Sequence, residues 1–396
     1  MKNYNKLIIL AFLMMTVFGF INNIRGVLLP SIRDYYTISY SQIGLMLFLA
    51  SLGFTISTFF GGLAADKFGQ KKILLFGLFI WATAIALIPL AKSFSFFVIA
   101  MFLTNIGVGA IEIGVNSLGA KIFIKNTAVM FNFLHLFYGV GSTIGPRYAG
   151  WMLTQNYAWQ KIYLATSVIV IFIFILLLFS KFPEHKTDRV SLKIPAKEIA
   201  KNSKLWLFGV VLGLAIVLET AIGNWLVNFL TEMREMNENS SSFYLSFFFI
   251  TFTIGRLTGG YLAEKIGYVK IILYNTVASM ILFGTGLLIG NGGAIFFSFV
   301  GFFVSIMYPT LMVIIMKEFT ENTGSVMGFI ITFAVVINMI SNWLIGKSND
   351  LFGVYYGFSS VIIYAILIII FLLALEKKLT YLNREESSQN STTANL

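Results

Sequence analysis

Long apolar segments separated by polar intervals recur along the entire chain. Each apolar segment holds roughly 20 residues, which is the length that crosses about 30 Å of hydrocarbon as an α-helix. Most of the intervals between them are short. Since lipid offers no hydrogen-bond partners to the backbone, each apolar segment is expected to be helical. The pattern predicts an all-α membrane protein.

The composition indicates that the bilayer is the solvent of this chain. Apolar residues make up 58% of the sequence and charged residues 11%, and the mean hydropathy is +0.84. A water-soluble domain of this composition could hardly cover its surface with polar side chains. The absence of Cys excludes disulfides and thiolate metal sites. We expect neither a metal nor a cofactor.

The formal net charge of +11 raises the question of a nucleic-acid partner. Most of the Lys and Arg residues, however, fall in alternate loops, which is typical of loops retained in the cytoplasm. We therefore expect a multi-pass protein of the cell membrane with both termini in the cytoplasm. The expected partners are lipid, protons and a small solute, with no nucleic acid, and the expected state is a monomer.

One loop sequence occurs twice, half a chain apart. The copy from Gly62 to Lys72 has its Gly, acid, Lys and Gly repeated at the same spacing between Gly260 and Lys270. Each copy lies between two apolar segments, which predicts a tight basic turn between membrane helices and a chain of two similar halves. The side chains and glycines expected to form a cytoplasmic gate are Gly62, Asp66, Gly69, Lys71, Gly260, Glu264 and Gly267.

The repeated pattern Gly-x-x-x-Asp-Lys-x-Gly-x-Lys-Lys resembles the loop signature of the major facilitator superfamily. This resemblance covers nearly the whole chain and implies twelve transmembrane helices in two pseudo-symmetric six-helix halves around a central cavity. It implies a secondary transporter and not an enzyme. The expected parts are an N-terminal bundle (1–181), a basic cytoplasmic linker (182–204), a C-terminal bundle (205–376) and a disordered cytoplasmic tail (377–396).

The fourth apolar segment places an acid, Glu112, in the middle of the membrane. Asn105 and Asn116 share its helix face, and neighbouring glycines permit close packing on other helices. An ionised, unpaired carboxylate is costly at this depth, so we expect Glu112 to exchange a proton when the cavity opens to water. The alternative is a neutral Glu112 with a purely structural hydrogen bond.

The seventh segment contains a second mid-membrane acid, Glu219, followed by Asn224, Trp225 and Asn228. Amides that bond hydroxyl groups and a flat apolar ring that covers C–H groups together suit a pyranose. The alternative is a set of interhelical amide bonds with an interfacial Trp. With Glu112, Glu219 is the second candidate for proton coupling.

Polar residues on other segments complete the candidate site. His135 and Tyr138 lie one turn apart, and proton relay, hydrogen bonding to a sugar and a passive role all remain open for them. Arg25 faces the interior or extends to the outer surface, and Arg256 is expected to be structural. The candidate solute-binding residues are Asn23, Arg25, Asn116, His135, Tyr138, Asn224, Trp225, Asn228, Tyr308, Asn338 and Asn342.

Three stretches resemble the fucose-galactose-glucose:proton symporter branch: Asn22-Asn23 before Leu28-Leu29-Pro30, the run 107–116, and the run 305–310, where Pro309 is expected to kink its helix. In that branch the acid of helix four, which matches Glu112, is associated with coupling sugar to proton movement. The chain departs from it at Gly26, where fucose carriers have an Asp. This departure speaks against fucose, and Glu219 would then supply the second acid, as in glucose-type relatives.

The expected function is proton-coupled uptake, by symport and alternating access, of a hexose-like sugar. The alternative is efflux of drugs or metabolites by proton antiport. Drug antiporters usually carry an Arg early in helix four, where this chain has Asn105, whereas the run 141–150 resembles their Gly-Pro motif. We give the missing Arg more weight because it changes the charge of the core.

Overall fold

The computed structural model describes residues 4–124, 127–183, 202–319 and 323–393, and this part of the chain is helical with no β-strand. Two short 3₁₀ turns, Ile88–Leu90 and Gly290–Gly293, accompany the α-helices. The α-helices are α1 (Asn5–Tyr36), α2 (Tyr40–Phe68), α3 (Gln70–Leu87), α4 (Phe94–Ile122), α5 (Thr127–Thr154), α6 (Trp159–Leu178), α7 (Ser203–Arg234), α8 (Glu238–Ile266), α9 (Tyr268–Leu288), α10 (Ala294–Glu318), α11 (Thr323–Phe352), α12 (Val354–Ser359) and α13 (Val361–Thr393).

The helices form two six-helix halves with the same internal packing. In the first half α1 packs on α5, and both α2 and α3 pack on α4. The second half repeats this arrangement, with α7 on α11 and both α8 and α9 on α10. The short α12 and α13 together supply the twelfth span. In the described part, eleven segments are long and apolar enough to cross a membrane. Together with α5, which is not among these eleven, they make up the twelve spans. The predicted fold is confirmed.

The two repeated turns have the same backbone geometry. Gly69 separates α2 from α3 with φ 87° and ψ 153°, and Gly267 separates α8 from α9 with φ 99° and ψ 140°. Side-chain-bearing residues rarely adopt this region, which is almost exclusive to Gly. In both turns the glycine N–H donates to the carbonyl oxygen four residues earlier, that of Ala65 or Ala263. The sequence repeat therefore corresponds to a repeat in structure.

Glycines let the backbones of neighbouring helices touch. A Cβ on Gly107 would lie 2.7 Å from the Gly77 carbonyl oxygen of α3, and one on Gly109 would lie 2.8 Å from the Phe54 carbonyl oxygen of α2. A Cβ on Gly141 of α5 would lie 1.9 Å from a carbonyl oxygen of α1. Small residues at helix interfaces permit this approach in membranes. The glycines of α4 and of the run 141–150 thus have a packing role.

The two halves meet along α1–α7, α2–α11 and α5–α8. Their polar contacts concentrate at the side opposite the repeated turns, and we call this side the clamp face and the side with the turns the loop face. Arg33 donates to Glu232 and to Tyr40, and Tyr40 also donates to Glu232. Asp350 of α11 accepts from the backbone N–H groups of Tyr40, at 2.8 Å, and Ser41, at 2.7 Å. Arg33, Tyr40, Glu232 and Asp350 are called the clamp.

Two expectations about the chain outside the bundles have different outcomes. The basic linker falls mostly on residues 184–201, which lie outside the described residues, and it stays a prediction. The tail from 377 was expected to be disordered, but α13 continues to Thr393. The segment contains no Pro or Gly to end the helix, and it begins with the helix formers Lys377, Lys378 and Leu379. Residues 394–396 lie outside the described part.

Candidate functional site

Two acids and one arginine from three helices share the centre of the molecule. Glu112 lies on α4 in the first half, and Glu219 on α7 and Arg256 on α8 lie in the second. Both acids are half-buried, and each interacts electrostatically with Arg256. Within the described chain neither acid forms an ion pair with this arginine. The guanidinium group is therefore a common neighbour of both carboxylates and is bound to neither.

Arg256 is the central residue that the sequence analysis missed. Its guanidinium carbon lies 4.5 Å from the centroid of the Phe252 ring, and its Nε is buried with no hydrogen-bond partner among the described residues. An Nε–H buried without an acceptor and two acids as electrostatic neighbours are unusual for an arginine with a purely structural role. The signal was available in the sequence, because position 256 lies about three turns before the end of α8 and thus well inside the span.

Three further side chains surround the same charges. Tyr308 of α10 interacts electrostatically with Glu112, Glu219 and Arg256. Tyr138 of α5 interacts with Glu219 and Arg256, and its hydroxyl lies near the amides of Asn22 and Asn23.

His135, one turn earlier on α5, also interacts with Arg256, yet its side chain is exposed. The His135 ring is exposed, and Glu112, Glu219, Arg256 and Tyr308 are each partly exposed, so none of these five side chains is fully enclosed by protein. We call the space lined by Glu112, His135, Glu219, Arg256 and Tyr308 the vestibule. It lies on the loop-face side of the contacts between the halves.

A chain of amides crosses from one half to the other beyond the vestibule. Arg25 Nη2 of α1 donates to Asn224 Oδ1 of α7 at 3.1 Å, and Asn224 Nδ2 donates to Asn342 Oδ1 of α11 at 3.1 Å. Asn342 Nδ2 in turn donates to Asn338 Oδ1 at 2.9 Å and to Thr220 Oγ1 at 3.0 Å. Four of the predicted solute-binding residues thus form one network. In this state their hydrogen-bonding groups engage one another.

Several other predicted binding residues lie away from the vestibule in this state. Trp225 is 1% exposed and its ring lies 6.2 Å from that of Tyr40, next to the clamp. Asn228 is also 1% exposed, with both amide atoms lacking a partner in the described chain. Asn23 donates to Ser142 Oγ at 3.0 Å and joins α1 to α5. Asn116 is half-buried one turn from Glu112.

The predicted gate residues make no described contact across the loop face. Cβ atoms on Gly62 and Gly260 would meet nothing within 4 Å. Lys71 donates to the Leu178 and Ser180 carbonyl oxygens, both at 2.9 Å, and so binds the end of α6 in its own half. Glu264 is exposed, and the Asp66 side chain lies outside the described atoms. Gly69 and Gly267 form the turns themselves.

Comparison with known families identifies the class of protein. The sequence pattern of the Major Facilitator Superfamily matches residues 10–342. The chain belongs to the Major Facilitator Superfamily. It is therefore a multi-pass membrane protein of a transporter family. In the described part of the chain, no group of three His, Asp or Glu side chains is placed to hold a metal ion.

Among curated members of the superfamily, the chain is similar to sugar carriers. It is 24% identical over 389 residues to a glucose/galactose transporter of Brucella abortus, covering 91% of this chain and 92% of that protein. It is 24% identical over 347 residues to the L-fucose-proton symporter of Escherichia coli, covering 78% and 79%. The resemblance to this branch is confirmed, although at low identity.

Solved superfamily structures share the fold across nearly the whole chain. A bacterial homologue of the human lysosomal transporter Spinster, solved inward-facing and occupied, gives a TM-score of 0.80 at 12% identity, covering 95% of this chain and 98% of that one. The transporter FucP in its outward conformation gives 0.66 at 19% identity, covering 93% and 98%. The backbone thus superposes better on the inward-facing structure, although its sequence is less similar.

Proposed function

We propose that this protein takes up a hexose-like sugar together with protons, by alternating access. The observation that carries the proposal is the placement of Glu112 and Glu219, one from each half, on either side of the vestibule with Arg256 as their shared neighbour. The names of the glucose/galactose and fucose-proton relatives support a sugar as the solute.

The loop face is proposed to be cytoplasmic. It carries both chain ends and the two basic turns, as the positive-inside rule requires. The protein is then inward-open in the present state, with the vestibule joined to the cytoplasm and the clamp closing the other side. Solute would enter when the clamp opens and the loop face closes.

Coupling is assigned to the two acids. A carboxylate in a span is favoured as the neutral acid when apolar surroundings close on it, and as the anion when water and a positive charge face it. In the proposed inward-open state Arg256 interacts with both acids and favours their anions, so it favours release of the proton. Return to the outward-open state with ionised acids requires Arg256 to compensate their charge. Proton loading on the outside then precedes the next inward step.

Solute binding is assigned to the vestibule and to the amide network beyond it. Tyr308, Tyr138, His135 and Asn116 offer hydroxyl, imidazole and amide groups to sugar hydroxyls. In this state the clamp side is closed, and the groups buried there include the network of Asn224, Asn338 and Asn342 and the ring of Trp225. Opening of the clamp would free the same groups for solute, which explains why a binding residue is buried in this state.

The test of coupling uses purified protein in liposomes under an imposed pH gradient, acid outside. Glu112→Gln is expected to abolish accumulation of labelled hexose while leaving counterflow exchange measurable, because the neutral side chain mimics a permanently protonated acid. Glu235→Gln, which changes an exposed acid on the clamp face, is the matched control and should accumulate like the wild type. Full active accumulation by Glu112→Gln would refute the proton role.

The same liposomes separate uptake from efflux. A panel of hexoses and of cationic dyes is offered with the pH gradient in either direction. Sugar symport predicts that protons moving down their gradient drive the accumulation of a hexose, and that the dyes do not move. Dye movement against the proton flow, without hexose transport, would instead establish the antiport alternative.

A further inference from the structure

A second polar cavity lies inside the first half, away from the vestibule. It leaves about 10 Å³ free for the centre of a water-sized sphere, which is space for one small ion or water molecule, and it is lined by α1, α3, α4 and α6. Its polar lining comes from Asn22, Arg25, Thr104, Asn105 and Tyr163, together with the Trp81 indole. No acidic side chain lines it. The cavity therefore combines a cation with neutral hydrogen-bonding groups.

Four polar atoms of these lining residues are buried without a hydrogen-bond partner in the described chain. They are Arg25 Nε, Trp81 Nε1, Thr104 Oγ1 and Tyr163 Oη. Trp81 is 0% exposed, Tyr163 1% and Thr104 5%, so bulk water does not satisfy them. A buried polar group without a partner costs free energy, and such groups normally have one. Their clustering around one cavity indicates a missing ligand.

The chemistry of these groups favours an anion. Arg25 Nε and Trp81 Nε1 can only donate, and the Thr104 and Tyr163 hydroxyls donate as readily as they accept. Arg25 has no carboxylate partner among the described residues, since its electrostatic neighbours are Tyr163 and Tyr138. Water would satisfy the donors but leave this buried positive charge without a counter-ion.

We propose that this cavity binds a small monovalent anion of halide size, such as chloride, against the Arg25 guanidinium. The donors are the Nε–H of Arg25, the indole N–H of Trp81 and the hydroxyls of Thr104 and Tyr163. The enclosed volume excludes larger anions such as gluconate, sulfate and phosphate. The site is separate from the two acids proposed for proton coupling, and it borders the amide network at Arg25, whose Nη2 donates to Asn224. Its test does not depend on the transport activity.

The first experiment measures the thermal stability of the purified full-length protein in sodium chloride and in sodium gluconate at matched ionic strength. An anion that binds the folded state raises the unfolding temperature as its concentration rises. We expect the wild type to be stabilised by chloride and bromide and not by gluconate. Equal stability in the chloride, bromide and gluconate salts would overturn the proposal and leave water as the occupant.

Substitutions locate the effect in the cavity. Thr104→Val removes one donor with little change in shape, and Trp81→Phe removes the indole N–H together with part of the ring system. For each we expect at least about a tenfold higher concentration of chloride for the same stabilisation. Thr276→Val is the matched control, because the Thr276 hydroxyl is buried in the other half and already donates to the Ile272 carbonyl oxygen. A chloride effect unchanged in Thr104→Val and Trp81→Phe would place the anion elsewhere and overturn the assignment.

A direct readout uses bromide as the probe. Crystals grown in sodium bromide are expected to show an anomalous peak in the cavity beside Arg25 Nε, which weakens in Thr104→Val. Density for a light atom without anomalous signal at this place would identify water and contradict the proposal, whatever the stability measurements show.

Discussion

The clamp face and the loop face differ in what joins the two halves. At the clamp face, charged and backbone groups bond directly across the interface, with Asp350 of one half bonded to the first N–H groups of α2 in the other. At the loop face, Lys71 binds within its own half, and Cβ atoms on Gly62, Gly260 and Gly267 would meet nothing within 4 Å. Among the described side chains, those of the repeated motif make no contact between the two halves. The described polar contacts that join the halves come from residues outside the motif.

The α1–α7 pair shows how the closed side is built. The contacts Arg25–Asn224 and Arg33–Glu232 both join residues 199 apart. The helix pair thus keeps one register between these two contacts, one residue away from the offset of 198 that relates the two repeated turns. A rocking motion that separates α1 from α7 at the clamp face breaks both contacts together, and this makes the closed side a cooperative unit.

The largest expected effect comes from locking the clamp face. The chain has no Cys, so the double variant Ser41→Cys/Asp350→Cys carries only the designed pair, placed where Ser41 N lies 2.7 Å from Asp350 Oδ2. Oxidation should abolish transport and reduction should restore it, because the clamp can no longer open. Each single Cys variant is the control. Transport that continues in the fully cross-linked protein would show that the clamp face need not open.

Next in size is the effect of backbone strain in the two turns. Gly69→Ala and Gly267→Ala force a side chain into the φ region that favours Gly, and each should cost roughly 1–3 kcal/mol of stability. The measurement is the midpoint of thermal unfolding in detergent. Gly260→Ala is the control, because its Cβ meets nothing within 4 Å and Ala favours helix. Equal behaviour of Gly260→Ala and Gly267→Ala would contradict the strain argument.

A smaller effect is expected from removing the cap that Asp350 provides. Asp350→Ala leaves the N–H groups of Tyr40 and Ser41 without this acceptor, and loss of such a cap costs about 1 kcal/mol. That shifts the balance between closed and open clamp about fivefold. The shift is read from the rate at which a Cys at position 41 reacts with a soluble thiol reagent. Asp34→Ala, which removes an exposed acid on the same face, should leave the rate unchanged.

The sequence predicted the parts of this fold that depend on local pattern. The spans follow from apolar length, the turns at Gly69 and Gly267 from the repeated motif, and the mid-membrane depth of Glu112 and Glu219 from their place within their segments. Each of these properties is fixed by residues close together in the chain.

The sequence did not predict the features that depend on tertiary contacts. Arg33–Glu232 and Tyr40–Asp350 join residues far apart in the chain, and no local pattern pairs them. Trp225 suits a sugar by its chemistry, yet its ring is buried in this state beside that of Tyr40, the first residue of α2. The sequence analysis assigned Arg256 a structural role because it precedes the second turn. Its position about three turns inside α8 instead makes it a neighbour of both acids.

The smallest effect on stability, and the sharpest test of the difference between the faces, is expected at the motif acids. Asp66→Ala and Glu264→Ala should leave the thermal stability of the present state nearly unchanged, because Glu264 is exposed here and has no described partner. Turnover should nevertheless slow, with little change in solute selectivity, if these acids bond only when the loop face closes. Initial uptake rates for several hexoses in liposomes measure both properties, and Asp34→Ala again serves as control. A change in solute selectivity would indicate that these acids belong to the solute site and not to the gate. An unchanged uptake rate would mean that the loop face closes without them.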